Sequence, residues 1–357
     1  MSQSFFKKFI TDLGDADTTL AADGVSSAEF TGYVDTGSYT LNAALSGSIF
    51  NGMPNNKALI YAGESTTGKT FFALANVKYF LRMYPKGFVF YFDTESAVTN
   101  EMMIERDIDI SRVAKSEPDS IEKFRSMCVK VLDKYLTIPE ADRFPMLIVL
   151  DSLSALPSKK ETEDIANEKD VRDMTKAQLI KGAFRVIRLK AAKAKVPMII
   201  TNHLYAVIGA YFPTKEMSGG SGAKYAADTV VFLSKKKERD TDKEVVGNII
   251  TAKMIKSRLT KENSQVETRV LYEGGLDRYY GLLEYAEAAE VIKKVGNKYE
   301  FPDGTKAFET AINKNPEKYY TEDVLKQIDA YMQTQFKYSS GEVLDVSDAE
   351  VLEDGND

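Results

Sequence analysis

Five apolar runs stand out along the chain, at 57–62, 87–92, 145–150, 196–201 and 228–233. Each is nearly continuous rather than alternating, the pattern of a strand buried on both faces. Longer stretches with helical spacing of apolar positions separate them and predict helices over 69–84, 119–136 and 170–195. Strands alternating with helices predict an α/β fold whose mostly parallel central sheet is covered on both sides. Two later runs, Asn248–Met254 and Thr268–Tyr272, read as a terminal hairpin, with Lys235, Lys236 and Lys237 in a solvated turn before it.

The ends differ from this core. Residues 2–10 have the pattern of a small amphipathic helix that offers Phe5, Phe6, Phe9 and Ile10 to a partner surface. Residues 14–32, rich in Gly, Ala, Asp, Ser and Thr, read as a linker. The expected organisation is an arm and linker (1–32), a core (33–274), a small C-terminal α/β module (275–337) and an acidic tail (338–357). The net charge of −6 hides an asymmetry, because residues 342–357 carry seven acids and no base. Without them the body is near +1, so the acidic sum does not exclude a polyanionic ligand. A single cysteine, Cys128, excludes an internal disulfide framework. No apolar run approaches the ~18 residues of a membrane span. The protein is expected in the cytoplasm, away from membranes.

One motif carries chemistry by itself. Gly63-Glu64-Ser65-Thr66-Thr67-Gly68-Lys69-Thr70 is a complete G-x-x-x-x-G-K-[ST] phosphate loop, entered from an apolar run and left by a helical one. Such a loop turns backbone N–H groups and a helix N-terminus toward a triphosphate. Lys69 would reach the β- and γ-phosphates, and the Thr70 hydroxyl would help hold Mg²⁺, so ATP and Mg²⁺ are the expected nucleotide and metal. Asp151 closes the run 145–150, where open parallel sheets place ligand-binding groups, and suits the second magnesium-side carboxylate. Glu95 follows the run 87–92 and can polarise an attacking water, with Asp93 as the competing carboxylate. Asn202 and His203 lie just past another run, followed by an irregular stretch with Tyr205, Tyr211, Phe212, Lys215 and glycines, a mixture suited to a sugar–phosphate backbone. His203 is the only histidine, so a zinc site is not expected.

These motifs together resemble the RecA-type recombinases, and within them the phage recombinases of the UvsX kind. The resemblance runs in order through Gly63–Thr70, Phe92-Asp93-Thr94-Glu95, Leu150-Asp151-Ser152-Leu153, Thr201-Asn202-His203, Ser218-Gly219-Gly220 and Lys256-Ser257-Arg258. Residues 158–164 and Asp173-Met174-Thr175 are similar to the phage branch in particular.

The resemblance implies a RecA-like ATPase core that forms a helical homo-oligomeric filament on single-stranded DNA, finds homologous double-stranded DNA and exchanges strands. It makes Lys69 and Thr70 the nucleotide-binding pair, Glu95 the catalytic glutamate and Asp151 the metal-side acid. His203, beside Asn202, takes the position of the polar switch at the second DNA loop. Lys256 and Arg258 become the basic pair that reaches a neighbour's γ-phosphate. It places the DNA loops near 158–173 and 204–221, with Arg172, Lys176 and Lys215 as phosphate contacts and Gly219 and Gly220 allowing close approach. Where the family often stacks a tyrosine on adenine, this chain has Met102, with Met103 beside it, so the base is expected on a thioether surface. A recombination mediator and a single-strand-binding protein are the implied partners. A ring-forming helicase motor and a nucleotide-dependent accessory protein share parts of this pattern.

Overall fold

In the strand Ala58–Gly63 every side chain is buried, and neighbours enter opposite layers: Leu59 and Tyr61 join one core, Ala58, Ile60 and Ala62 the other. The strand Met146–Asp151 splits in the same way, Leu147 and Val149 against Met146, Ile148 and Leu150. A two-residue side-chain period with apolar residues on both faces forces a sheet sandwiched between helical layers. The computed structural model describes residues 2–14, 18, 20, 29–168, 175–206 and 215–338.

A short ladder joins β1 (Tyr33–Val34) to β2 (Met53–Pro54). The main sheet contains β3 (Ala58–Gly63), β4 (Phe88–Asp93), β5 (Val113–Ser116), β6 (Met146–Asp151), β7 (Met198–Ala206), β8 (Lys215–Met217), β9 (Thr229–Arg239), β10 (Val245–Lys256), β11 (Gln265–Leu271) and β12 (Gly275–Asp277). Its order is β12-β11-β10-β9-β3-β7-β6-β4-β5, with β8 pairing with β7. From β5 to β9 neighbouring strands run parallel, whereas β9 to β12 form an antiparallel extension.

Helix α1 (Ser2–Leu13) exposes Phe5, Phe6, Phe9 and Leu13. One face of the sheet is covered by α2 (Tyr39–Ser46) and α3 (Lys69–Met83), and α4 (Asn100–Glu105) adds Met103 to that core. The other face is covered by α5 (Ile121–Leu136), whose Ile121, Phe124, Cys128, Leu132 and Tyr135 form a helical stripe. Burial pushes the Cys128 thiol up to about 12, so it stays protonated and unreactive. Helix α6 (Lys159–Ala166) opens with a Ser158–Glu161 capping box, and α7 (Lys176–Ala194) and α8 (Gly220–Ala226) complete the layer.

The chain then returns to the first face. Helix α9 (Leu282–Ala288), a small sheet of β13 (Lys293–Val295), β14 (Lys298–Glu300) and β15 (Lys306–Ala307), α10 (Glu309–Lys314), α11 (Pro316–Tyr319) and α12 (Glu322–Phe336) follow. Ile328, Met332 and Phe336 of α12 share the core of α2 and α3, and Asp329 Oδ1 accepts the Ile49 N–H at 2.7 Å.

Several expectations change. Lys235–Lys237 lie within β9, opposite Ile250, Ile249 and Asn248 of β10, rather than in a turn. The reversal comes later, where the Asp240 N–H donates to the Glu244 carbonyl. The three lysine side chains are exposed while their backbone stays paired with β10, which is itself held by β11 on its other side. The stretch after His203 is partly regular: Leu204–Ala206 pairs antiparallel with Lys215–Met217. The expected boundary at 275 falls inside the main sheet, because Gly275–Asp277 is its edge strand. Arg172, Tyr211, Phe212 and the acidic tail lie outside the described residues.

Candidate nucleotide site at the strand ends

The parallel register brings the C-terminal ends of four strands together. Gly63 of β3 stands opposite His203 of β7, and Asp93 of β4 opposite Asp151 of β6. Beyond Gly63 the chain turns tightly into α3, with Thr66 and Gly68 both in the left-handed region at φ 63° and 92°. A Cβ on Gly63 would stand 2.3 Å from Thr67 Oγ1 and 3.0 Å from the Leu233 carbonyl oxygen, so a side chain here would push the loop out of place. The Thr67 hydroxyl donates to the Glu64 carbonyl at 2.9 Å and closes the turn.

Lys69 arches back over the loop, and its Nζ donates to the carbonyls of Gly63 (3.0 Å) and Glu64 (2.8 Å). Burial holds its pKa below the ordinary lysine value, against the pull of Glu95 and Asp151. Thr70 sits half-buried in the first helical turn. Asp151 is 5% exposed. It accepts the Tyr91 hydroxyl at 2.7 Å on one oxygen and the Thr201 hydroxyl on the other. Burial first, then the charge and hydrogen bond of Asp151, keep the Tyr91 phenol well above its usual range, so Tyr91 remains a donor. A carboxylate offers about four acceptor positions, so two held from behind leave the cleft side able to take a metal or its water.

The two competing carboxylates separate here. Asp93 is 1% exposed, accepts the Ala97 and Val98 N–H groups at 3.3 and 3.0 Å, and pairs with Lys115 at 3.7 Å. It shapes the turn after β4 and has no freedom to orient water. Glu95 stands at the surface of the cleft, where Oε1 accepts the Ser152 hydroxyl at 2.5 Å and faces His203 Nε2 at 3.3 Å. Asn202 Nδ2 donates to the Ser218 carbonyl at 2.9 Å, and the Ser218 N–H donates to the His203 carbonyl at 3.0 Å. Those two bonds fasten the end of β7 to the segment that leads into α8.

The expected DNA-loop residues are spread out. Lys215 pairs with Glu64 of the phosphate loop at 2.8 Å, and Lys176 pairs with Glu161 at 3.1 Å. Gly219 (φ 80°) opens α8 against Ile180, whereas Gly220 (φ 57°) faces open space. Lys235 Nζ donates to Thr66 Oγ1 at 2.8 Å, a contact the turn reading of this lysine run missed. Tyr91 and Thr201 were also missed; their only sequence signal is a hydroxyl within an otherwise apolar strand.

Lys256 and Arg258 lie elsewhere. Lys256 Nζ donates to the carbonyls of Lys224 (2.9 Å) and Ala227 (2.7 Å), and Arg258 approaches Asp228 at 3.6 Å. Asp228 in turn accepts the N–H of Ala58, at the opposite end of β3 from Gly63. Five strand rises separate those ends, about 17 Å at ~3.3 Å per residue. The basic pair therefore stands across the sheet from its own phosphate loop.

Beside α3 runs a cleft of about 450 Å³, walled by Phe71, Lys78, Arg106, Tyr272 and Gly275. Neither Met102 nor Met103 lines it. Met103 is 1% exposed and belongs to the core, which corrects the expectation that it offers a base surface. Met102 is half-buried on α4. Among the described residues no helix is long and apolar enough to cross a membrane, and no cluster of three or more His, Cys, Asp or Glu forms a metal cage.

Comparison with known proteins agrees with this geometry. The model of the RecA N-terminal domain matches residues 4–277. The recombination and repair protein of Enterobacteria phage T4 is 36% identical over 266 residues, covering 74% of this chain and 66% of that protein. Protein RecA of Thermotoga petrophila is 26% identical over 269 residues, covering 75% and 71%, and that of Tropheryma whipplei is 28% identical over 278, covering 76% and 60%.

Proposed function

The chain belongs to the RecA family, and we propose that it is a DNA-dependent ATPase that forms helical filaments on single-stranded DNA and catalyses homologous pairing and strand exchange. One observation carries the reading. Lys69, Glu95 and Asp151 gather at one edge of the sheet, while Lys256 and Arg258 stand at the other. A single subunit holds two halves of a phosphate-transfer site that only a neighbour can complete. The same division supports a ring motor, but α1, with its exposed Phe5, Phe6 and Phe9, suits an arm that joins successive subunits.

Within the site, the N–H groups around Gly68 receive the phosphates of ATP, and Lys69 exchanges its loop carbonyls for β- and γ-phosphate oxygens. Thr70 and Asp151 present hard oxygen donors suited to Mg²⁺, which keeps several waters and binds through one or two protein oxygens plus phosphates. An ion held by these two residues would supply positive charge against the phosphates. Tyr91 and Thr201 fix the Asp151 carboxylate, and Glu95 orients the attacking water. The neighbour's Lys256 and Arg258 counterparts stabilise the departing charge, so ATP binding joins subunits and turnover releases them. The base enters the cleft that starts at Phe71, directly after Thr70.

DNA reaches this chemistry through His203. Its contact with Glu95 and its tie to Ser218 connect the water-orienting group to the hairpin of β7 and β8. Lys215, Lys176, Arg172 and the Gly219–Gly220 turn meet the phosphate backbone, which gives affinity without sequence preference. A recombination mediator and a single-strand-binding protein act with the filament in the cytoplasm.

Glu95→Gln keeps ATP binding, slows turnover by ~10²–10⁴-fold, as expected for loss of a general base, and lengthens filament lifetime. Single-turnover hydrolysis checks this, and normal turnover would return the role to another group. Deleting 342–357 removes seven acids that compete with DNA phosphates. It should tighten double-stranded DNA binding, most at low salt. A titration at two ionic strengths that shows no difference would reduce the tail to a solubilising end.

A further inference from the structure

Asp228 directly precedes β9 and is 7% exposed, yet the cations Lys57, Arg188, Lys256 and Arg258 all interact with its charge. Its Oδ2 accepts the Ala58 N–H at 2.9 Å and a guanidinium N–H of Arg188 on α7. Its Oδ1 is left for Arg258, whose Nε stands 3.6 Å away. Among the described residues no other acid lies within ion-pair distance of Arg258. The carbonyl of the preceding residue, Ala227, accepts Lys256 Nζ at 2.7 Å. Residues 227 and 228 thus hold both members of the reaching pair. Burial lowers the pKa values of Lys57, Arg188 and Lys256, and the charge of Asp228 opposes it in all three. Arg188 Nη1 is enclosed without an acceptor, so its buried charge rests on this one carboxylate.

We propose that Asp228 is the positioning residue of the reaching pair: steadied by Arg188 from α7, its carboxylate holds Arg258 beside Lys256, ready for a neighbour's γ-phosphate. The proposal rests on the divided-site reading above and adds what fixes the pair before a neighbour arrives. Cations gathered at one strand end repel one another, and Asp228 offsets that repulsion. The Arg258 side chain is 66% exposed. Without an anchor it would sample many rotamers, and aligning it at each junction would cost that freedom. Asp228 touches no phosphate; it acts through Arg258.

The test removes the charge and keeps the backbone contact. Asp228→Asn leaves a carbonyl oxygen for the Ala58 N–H, and Arg188→Met goes with it so that no guanidinium is stranded in the interior. This double variant of the full chain is assayed with Mg²⁺ and single-stranded DNA. ATP binding to dilute subunits stays within about twofold of the parent, because each phosphate loop is intact. The kcat for ATP falls about tenfold or more, in the range of a ~1 Å misplacement. Mixing separates positioning from damage. Equal amounts of Lys69→Ala, which brings a sound pair, raise the rate to about a quarter of the parental one. Equal amounts of a Lys256→Ala, Arg258→Ala double variant raise nothing. Unchanged kcat, or recovery with the pair-deleted protein, overturns the proposal. Lost ATP binding, or no recovery with Lys69→Ala, also overturns it and makes the Arg188–Asp228 contact a fastening of α7 to the sheet. Lys69→Ala mixed with the pair-deleted protein is the control. If those two fail to recover, the divided-site reading falls, and the proposal with it.

Discussion

Lys69→Ala abolishes ATP turnover, by ~10³-fold or more, since even one pre-aligned donor to a developing charge is worth ~10²–10³. The lysine lies 7% exposed between its loop and the carboxylates of Glu95 and Asp151. No other described cation is placed between those groups; Lys215 and Lys235 reach the outer side of the loop, at Glu64 and Thr66. Removing Nζ also frees two carbonyls, of Gly63 and Glu64, so thermal unfolding should be followed in the same samples. A folded variant without turnover supports the site. A folded variant with parental hydrolysis would remove it.

Mixing two inactive proteins restores turnover. Lys69→Ala lacks a phosphate loop that can act, and a Lys256→Ala, Arg258→Ala double variant lacks the reaching pair. If, as proposed, each site takes its loop from one subunit and its pair from the next, a mixed filament contains some junctions with both halves intact. Random mixing in equal amounts gives about a quarter of the junctions, and so about a quarter of the parental rate, for a head-to-tail assembly. The expectation rests on the sheet: the pair stands beside Asp228 and Ala58, a strand length from Gly63. No recovery on mixing would mean that the pair works within its own subunit or has only a structural role, such as fastening the end of α8 through the Lys224 and Ala227 carbonyls.

How much of this was legible in the sequence depended on the distance over which each feature is decided. The phosphate loop is local: its glycines, lysine and threonine act within eight residues, and the continuous apolar runs that frame it needed no partner to be recognised. Strand ends likewise follow from where those runs stop, which put Asp151 and Glu95 at the cleft. The choice between Glu95 and Asp93 is not local. Two backbone N–H groups and Lys115 occupy Asp93 and so favour Glu95, and a sequence gives no sign of which carboxylate will be capped.

Lys235 shows the opposite error. Three consecutive lysines suggest solvent, and solvent is what surrounds them, but strand pairing with β10 supplies the backbone structure that composition could not reveal. Met103 was misread for a similar reason. On a helix adjacent residues point about 100° apart, so Met103 turns into the core while Met102 stays half-buried.

The central claim is an ATPase built for filaments on DNA. It is tested most directly by measuring ATP hydrolysis with and without single-stranded DNA while imaging the same samples by electron microscopy. Turnover stimulated by DNA together with open helical filaments is the predicted result. Hydrolysis indifferent to DNA, or stimulated hydrolysis in closed rings, would contradict it.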